Sequence, residues 1–484
     1  MDDNTKNATA KQVAAKTDPF FARSTDHPAC VSVCEDSPGQ GGSPTSCVSW
    51  ALRRNMGKTR GMPSTTPDGG RPFDMLSASC ASTDTAAATA RVGAQLRAGL
   101  DAKARVKLII LHYTSAHSAE QVLQAARGWG IGDDTTLICG ASSCRGALTS
   151  VQNKHRQCAS ELAADMGFVS SDGAAGADSA ALAACAFDDE RGLFGVGVCS
   201  GDGVDGLLHA SPAEVRDAGR TAASDAMAQI GCLPKALWLF LVPGLEENAL
   251  DGINAALQDA QNKAVRQGHS QWKPVPVMGM SAADNTVEGA WTQIAGGAVH
   301  TCSVVVVAMH PSAGVEAVYN SGYSPTPVQG RLHGVELRKA ARISPMKRGR
   351  GGNHAAGTEQ SVTGTAAAVY NKWTSGAIDD FVTGGNILGA SSFFPLGRVV
   401  GQDEGEDDEL YQIIHPDSVT VNGALTFFAD VHEGEALTLM TANAEQLVRL
   451  PLKGIRKRTK VLAASGKVAV GCLFTYVCAC RNPI

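Results

Sequence analysis

A glycine and a serine two residues apart follow a short apolar run at two places in the chain. Gly140 and Ser142 close the segment TTLICGASS, and Gly279 and Ser281 close the segment VPVMGMSAA, at one and the same offset. Such a turn can present a serine nucleophile at the end of a strand. It can also bind a ligand, because glycine lets a ligand approach the backbone closely.

The nucleophile interpretation requires a second glycine, as in Gly-x-Ser-x-Gly. Cys144 and Ala283 occupy the positions where that glycine would stand. Cys144 is itself a candidate nucleophile, but no histidine is tied to it or to a serine by any motif. The candidate bases are His112, His117, His300 and His310. We predict no catalytic residue, and a serine or cysteine hydrolase is the alternative.

Polar side chains beside the two turns make up the predicted ligand site. Their hydroxyl, carboxylate and amide groups could hold the amine and carboxylate of an amino acid. An arginine at a strand end can bind a carboxylate through two hydrogen bonds, so Arg481 is included among the predicted ligand-binding residues. The predicted ligand-binding residues are Gly140, Ser142, Ser143, Gly279, Ser281, Asp284, Asn285 and Arg481. A second interpretation stays open, in which the glycines only permit tight turns and the serines cap the next segment.

The cysteine and histidine spacing predicts no metal and no other cofactor. Cys30 and Cys34 have the spacing of half a zinc site, but no second pair is suitably placed. His112 and His117 are five residues apart, which puts them on different faces of a strand or helix.

The residues around each turn predict a strand, a helix and a second strand. The apolar runs at 107–111 and 236–242 are typical of strands buried on both faces. Between each run and its turn, apolar residues recur at helical spacing, and Glu246 and Glu247 suit the first turn of a helix. We therefore predict an α/β fold of mixed, mostly buried β-sheets flanked by helices, with duplicated strand–helix–strand modules in two domains.

Charge and hydropathy limit the classes of partner. The formal net charge of −5 gives no general attraction to nucleic acid. The apolar runs are far shorter than the ~20 residues that span a bilayer. The start, MDDNTKN, has no apolar segment of the kind a secretory signal needs. We expect a cytoplasmic protein with a small-molecule partner, without nucleic acid or membrane.

Composition divides the chain into four parts. Residues 1–90 mix small and polar residues and are predicted to be a poorly ordered tail. Residues 91–340 contain the two modules. Prolines, glycines and basic residues between 322 and 365 predict a linker, with the domain boundary drawn at 341–365. Residues 366–484 form the second domain.

The order of several segments resembles the FIST family, named for F-box and intracellular signal transduction proteins. The segments are ICGASSCRG, LWLFLVPGLEE, VMGMSAADN, AVYNKW, FFPLG, NGALTFFADVHEGEALTLM and YVCACR. The resemblance covers roughly residues 100–484 and implies an N-terminal and a C-terminal FIST domain. It implies a non-catalytic module that senses small ligands, such as amino acids, in signal transduction. A protein-interaction scaffold or substrate receptor of a ubiquitin ligase is the alternative.

Three features depart from this family pattern. Residues 1–90 contain no leucine-rich segment like an F-box. Ile414 and His415 precede Pro416, where the family usually has an arginine before the proline. The family also continues past the position of Arg481 with a further strand–helix–strand. From this we expect the C-terminal domain to be incomplete.

Overall fold

The computed structural model describes most of the chain from residue 73 onward. The described residues are 48–51, 73–143, 147–150, 166–169, 180–201, 206–267, 274–285, 289–317, 322–347, 358–359, 364–402, 409–443, 446–447, 460–461, 464 and 473–476. Arg481, Cys144, Cys30 and Cys34 lie outside these residues.

Strands dominate the described part. In chain order they are β1 (Val48–Ala51), β2 (Asp74–Ala81), β3 (Val106–Thr114), β4 (Gly132–Ser143), β5 (Ala147–Ser150), β6 (Met166–Val169), β7 (Ala181–Asp188), β8 (Leu193–Ser200), β9 (Ala236–Leu241), β10 (Val277–Ser281), β11 (Gln293–Ala295), β12 (Ala298–His300), β13 (Ser303–His310), β14 (Ser324–Glu336), β15 (Lys339–Lys347), β16 (Thr358–Glu359), β17 (Gly385–Asn386), β18 (Leu396–Gln402), β19 (Glu409–Ile414), β20 (Pro416–Val419), β21 (Leu425–Phe427), β22 (Ala436–Thr441) and β23 (Leu473–Tyr476). The helices are α1 (Thr85–Gly99), α2 (Ala119–Arg127), α3 (Pro212–Ile230), α4 (Glu246–Arg266), α5 (Ala366–Trp373) and α6 (Leu388–Ser391), with a 3-10 turn at Asp379–Phe381.

The two predicted modules are present, one in each of two sheets. In the first, β3 and β4 are parallel and are joined through α2, within a six-stranded sheet of order β12-β11-β4-β3-β7-β2. In the second, β9 and β10 are parallel and are joined through α4, within a four-stranded sheet of order β10-β9-β13-β8. Each Gly-x-Ser lies at the carboxyl end of its second strand, as predicted.

These sheets pack face to face between two layers of helices. Leu108, Ile110 and Cys139 of the six-stranded sheet share one apolar core with Trp238 and Phe240 of the four-stranded sheet. We call the face of each sheet that lies in this core its inner face. Because side chains alternate along a strand, the neighbouring residues face outward. On the outer faces, α1 and α2 cover the six-stranded sheet, and α3 and α4 cover the four-stranded sheet.

The helices begin at side-chain caps that the sequence supplies. Asp84 accepts hydrogen bonds from two amides at the start of α1, and Ser118 accepts one at the start of α2. Ser211 and Glu214 form a capping box at α3. Helix α4 has Glu246 and Glu247 in its first turn, which confirms the prediction from the helix dipole.

A third, nine-stranded sheet contains strands β14 to β22, whereas β23 pairs with β1. Its order is β17-β20-β21-β15-β14-β22-β18-β19, with β16 paired to β15, and all its pairings are antiparallel. Helix α5 covers one face, where Tyr370 is fully buried beside Leu332 and Leu396. The fold class is confirmed: the chain combines mixed sheets with flanking helices.

Two predicted boundaries are corrected by the structure. Residues 74–90 do not belong to a poorly ordered tail, because β2 pairs along its length with β7 and buries Met75 and Leu76. Residues 339–347 are not linker, because β14 and β15 form a hairpin inside the nine-stranded sheet. The prolines of β14 are tolerated because the pairing with β22 is irregular between Pro325 and Gln329.

Candidate functional site

The two glycines of the repeated turn meet the same obstacle. Gly140 lies opposite Leu111 of β3, and Gly279 lies opposite Leu239 of β9. A Cβ at Gly140 would lie 2.2 Å from the carbonyl oxygen of Leu111, and one at Gly279 would lie 2.1 Å from that of Leu239. Close approach of the neighbouring parallel strand therefore requires a glycine in both copies.

Ser142 joins two other segments to the end of β4 by hydrogen bonds. Its Oγ accepts a hydrogen bond from the amide of Thr292 at 2.9 Å, and its own amide donates to the carbonyl of Thr292 at 2.8 Å. Its carbonyl accepts from the amide of Ala283 at 2.9 Å. The side chain is fully buried on the outer face, like Tyr113 opposite it, whose hydroxyl meets that of Thr292 at 2.9 Å.

Ser281 has a different partner. Its Oγ donates to Oε1 of Glu246 at 2.8 Å, and Oε2 of Glu246 accepts from the amide of Gly244 at 2.7 Å. Ser281 lies opposite Leu241 on the outer face of the four-stranded sheet, beside the start of α4. The two serines therefore face opposite outer layers, and their hydroxyls do not share a pocket.

Asp284 and Asn285 lie where the chain leaves β10 and crosses to the end of β3. Both are buried, at 1% and 2% exposure. A carboxylate oxygen of Asp284 accepts from the amides of Gly289 and Ala290 at 2.8 and 3.0 Å. The amide of Asn285 donates to Oγ of Ser115, directly after β3, at 3.0 Å.

The predicted ligand site is thus assembled in part. Ser142, Ser143, Asp284 and Asn285 meet at the carboxyl ends of β3 and β4, where Ser143 is 1% exposed and its Oγ donates to the carbonyl of Tyr113 at 3.3 Å. Ser281 lies on the far side of its sheet. Sequence reasoning missed Ser115, because no local pattern relates it to a segment so distant along the chain.

The first turn of α4 also contacts the nine-stranded sheet. Glu247 accepts from the amide of Asp430 at 2.9 Å, and Nε of Arg338 donates to Asp430 at 2.7 Å. Arg338 also donates to the carbonyl of Gly244 at 3.2 Å. Burial raises the pKa of Glu247, and the nearby charge of Asp430 adds to this. Burial opposes ionisation of Asp430, but the hydrogen bond and charge of Arg338 outweigh it and lower the pKa of that carboxyl.

Of the four candidate bases, His300 lies 3.2 Å from Oγ of Ser200, and His310 lies 3.5 Å from Sγ of Cys232. No group of three or more His, Cys, Asp or Glu side chains within the described residues is placed to hold a metal ion. His117 is hydrogen-bonded to Thr85 at 3.1 Å, whereas His112 lies in the core beside Phe240. Neither Ser142 nor Ser281 is hydrogen-bonded to a histidine.

Two family models match the chain. The FIST N domain model matches residues 107–336, and the FIST C domain model matches residues 366–484. Together they span most of the sequence. The chain belongs to the FIST family. FIST domains are sensory, signal-transduction modules that are thought to bind small ligands.

Other comparisons add little to this family assignment. A search of curated protein sequences returns no match. A cyanuric acid hydrolase from A. caulinodans is 11% identical over 54% of this chain and 72% of its own, with a TM-score of 0.26. A second cyanuric acid hydrolase structure is 10% identical over 49% of this chain and 68% of its own, with a TM-score of 0.25. Likeness at these TM-scores supports no conclusion about activity. No helix among the described residues is long and apolar enough to cross a membrane.

Proposed function

We propose that this FIST protein is a non-catalytic sensing module that binds a small ligand, such as an amino acid, at the carboxyl ends of β3, β4 and β10. One observation carries this proposal: the ends of strands from two sheets are joined there by partly buried polar contacts. The amide of Ala283 reaches the carbonyl of Ser142, and the amide of Asn285 reaches Oγ of Ser115. In open α/β sheets, ligands bind in the crevice outside the carboxyl ends of strands.

The start of α4 offers a physical route from that edge to the nine-stranded sheet. Ser281 at the end of β10 holds Glu246, and the adjacent Glu247 holds Asp430. A ligand that moves the end of β10 would therefore act on the first turn of α4 and on the strand connection at Asp430. A sensing protein needs such a link, because a ligand shifts an equilibrium only through contacts that differ between two states.

A thermal-shift screen of the full chain against the 20 amino acids and related metabolites tests the proposal. A ligand at roughly 100-fold excess over Kd should raise Tm by about 3–5 °C. The variant Ser143→Ala should weaken the effect. The control Ser391→Ala removes an equally buried hydroxyl that donates to a carbonyl in the nine-stranded sheet, and should leave the effect unchanged.

Absence of stabilisation by any compound would contradict the sensing proposal. So would equal weakening by Ser143→Ala and Ser391→Ala, because the effect would then follow stability and not the site. If the screen is negative and a ubiquitin ligase adaptor co-purifies with the protein, the scaffold alternative is favoured instead.

A further inference from the structure

Two buried polar side chains lie in one row across the inner face of the six-stranded sheet. Gln293 of β11 is opposite Ala141 of β4, which is opposite His112 of β3, which is opposite Ala183 of β7. Residues directly opposite one another share a face. Gln293 and His112 therefore both point toward the four-stranded sheet, separated by one alanine.

Gln293 uses its hydrogen-bonding groups to join the two sheets. Its Nε2 donates to the carbonyls of Phe240 and Ser303 at 2.7 and 2.9 Å. Its Oε1 accepts from the amide of Ser303 at 3.0 Å. This is the usual outcome for a polar group in a protein interior, where a partner replaces the water that burial removes.

His112 makes no such use of its ring. It is 4% exposed, and neither Nδ1 nor Nε2 has a hydrogen-bond partner in the described part of the chain. Its ring lies 5.9 Å from that of Phe240, centroid to centroid. Burial lowers the pKa of His112 to about 3, so the ring is neutral at physiological pH. A neutral imidazole offers one donor and one acceptor.

Trp238 presents a second such group from the facing sheet. It lies two residues before Phe240 on β9, so both side chains point inward. It is 1% exposed, and within the described residues its Nε1 has no partner. Two donors and one acceptor are thus buried on facing strands without partners, a destabilising arrangement that native proteins rarely keep without a use.

The surroundings of His112 favour an uncharged group. Its neighbours across the sheet are the methyl groups of Ala141 and Ala183, and Phe240 covers its ring. An ionised group placed among these apolar side chains would lose its water, which is costly without a paired charge. One row toward the strand ends, the same face carries Thr114 and Ser143, beside the polar edge of the proposed sensing site.

We propose that His112 and Trp238 form the inner part of the ligand site and bind the uncharged, planar end of a small molecule, a group that carries both a donor and an acceptor, as a carboxamide does. This inference rests on the proposed sensing function and specifies the chemical class of its ligand. The polar strand ends at Ser143 and Asn285 then lie at the entrance, and the two rings recognise the planar group. A neutral amide satisfies the donors and acceptor together, whereas a carboxylate cannot donate.

Paired amides and acids test the inference on the full chain. Acetamide and nicotinamide are the probes, and acetate and nicotinate are their charged counterparts, with affinity measured by calorimetry and by tryptophan fluorescence. The parent should bind an amide at least tenfold more tightly than the matching acid. His112→Phe and Trp238→Phe should each weaken amide binding about tenfold, the effect of one lost hydrogen bond. His112→Phe should also raise Tm without ligand, because it removes unpaired polar atoms.

His415→Phe is the matched control. His415 is a partly buried histidine whose enclosed Nδ1 also lacks a partner in the described residues, but it contacts Tyr323 in another core. The His415→Phe variant should bind the amides as tightly as the parent does. Amide binding that survives in His112→Phe and in Trp238→Phe overturns the inference, as does equal binding of amides and acids. If His112→Phe does not fold, Trp238→Phe decides, since a smaller ring fits the same place.

The two proposals fail in different ways. If some compound stabilises the protein in the screen but the parent binds no amide, the inner site is wrong and the sensing function stands. If no compound of any kind stabilises the protein, the sensing function itself is wrong.

Discussion

The two strand–helix–strand units have the same backbone arrangement, but the serine near the end of each unit contacts a different part of the molecule. In both, a glycine stands opposite a leucine whose carbonyl oxygen fills the space of a side chain. In both, a serine follows on the outer face. The first unit, however, uses the hydroxyl of Ser142 to hold Thr292, next to β11 of its own sheet, whereas the second uses the hydroxyl of Ser281 to hold the first turn of α4.

The difference shows which part of the repeat is needed for folding and which part was adapted. The glycine solves a packing problem that both parallel pairs share, so it recurs. The partner of the serine differs with what lies beyond each strand end. The segment at Thr292 lies beside the end of β4. Helix α4 lies beside the end of β10, and it also contacts Asp430 in the connection between β21 and β22 of the third sheet. Among the described residues, therefore, only the second unit connects two sheets through its helix.

Adding a methyl group at either glycine should break the shared feature and give the largest effect. Gly140→Ala and Gly279→Ala each place a Cβ against a backbone oxygen that cannot move without distorting the parallel pair. Each should lower the free energy of unfolding by about 3 kcal/mol, measured by urea denaturation. Gly314→Ala, whose Cβ would meet nothing within 4 Å, is the control and should be near neutral. A small loss at only one of the two positions would show that the units are not equivalent.

Truncating the serines should separate the two units. Ser142→Ala removes a fully buried hydroxyl and leaves the partly buried amide of Thr292 without its side-chain acceptor, which should cost about 2 kcal/mol. Ser281→Ala removes a half-buried contact to Glu246, which keeps its other oxygen on Gly244, and should cost less than about 1 kcal/mol. The same denaturation measurement applies. Equal losses of stability in the two variants would contradict the distinction between the contact of Ser142 inside the six-stranded sheet and the contact of Ser281 to helix α4.

Removing Arg338 should weaken only the contact between the start of α4 and Asp430. Arg338→Met takes away the donor to Asp430 and to Gly244 and should cost about 1 kcal/mol. Arg220→Met provides the matched control, because Arg220 pairs with Asp259 at 2.6 Å but both side chains are more than half exposed. That change should be undetectable by calorimetry. If the two variants lose the same stability, the contact at Asp430 has no special role.

The smallest expected effect is a change in pH dependence. The folded state raises the pKa of Glu247 above its usual 4.5, so it favours the protonated carboxyl. That contribution is complete below pH 4.5 and is lost as the pH rises through the folded-state pKa. The glutamine of Glu247→Gln does not titrate. As the pH rises from about 4.5 to 7, this variant should therefore lose less stability than the parent, and the difference should be under about 1 kcal/mol. Parallel stability curves for parent and variant would refute the assignment.

Local patterns sufficed to predict the parts of the fold that depend on neighbours in sequence. The apolar runs of β3 and β9, the buried face of α2 and the acidic first turn of α4 all follow from periodicity and the helix dipole. The ends of β4 and β10 at the two serines were predicted in the same way. Residues 74–81 were missed because Met75 and Leu76 are the only long apolar side chains in DMLSASCA, too few for a buried strand to be recognised.

The candidate site was harder to predict because its contacts join distant residues. Ser142 and Thr292, or Asn285 and Ser115, meet only when the sheets are assembled. His112 gave one signal that was not used for this purpose: a polar residue stands inside an otherwise apolar strand, and buried polar groups are the informative exceptions in a core. Its lack of a partner could be seen only in the structure.

The hairpin of β14 and β15 has a consequence for how this protein can be divided. The FIST N match ends at Glu336, which is the last residue of β14, while β15 and the strands that flank the hairpin lie beyond it. A fragment cut at that point would carry away one strand from the middle of the nine-stranded sheet. The residues matched by the FIST N model therefore include one strand of the nine-stranded sheet, and a cut before Ser324 would leave that sheet whole.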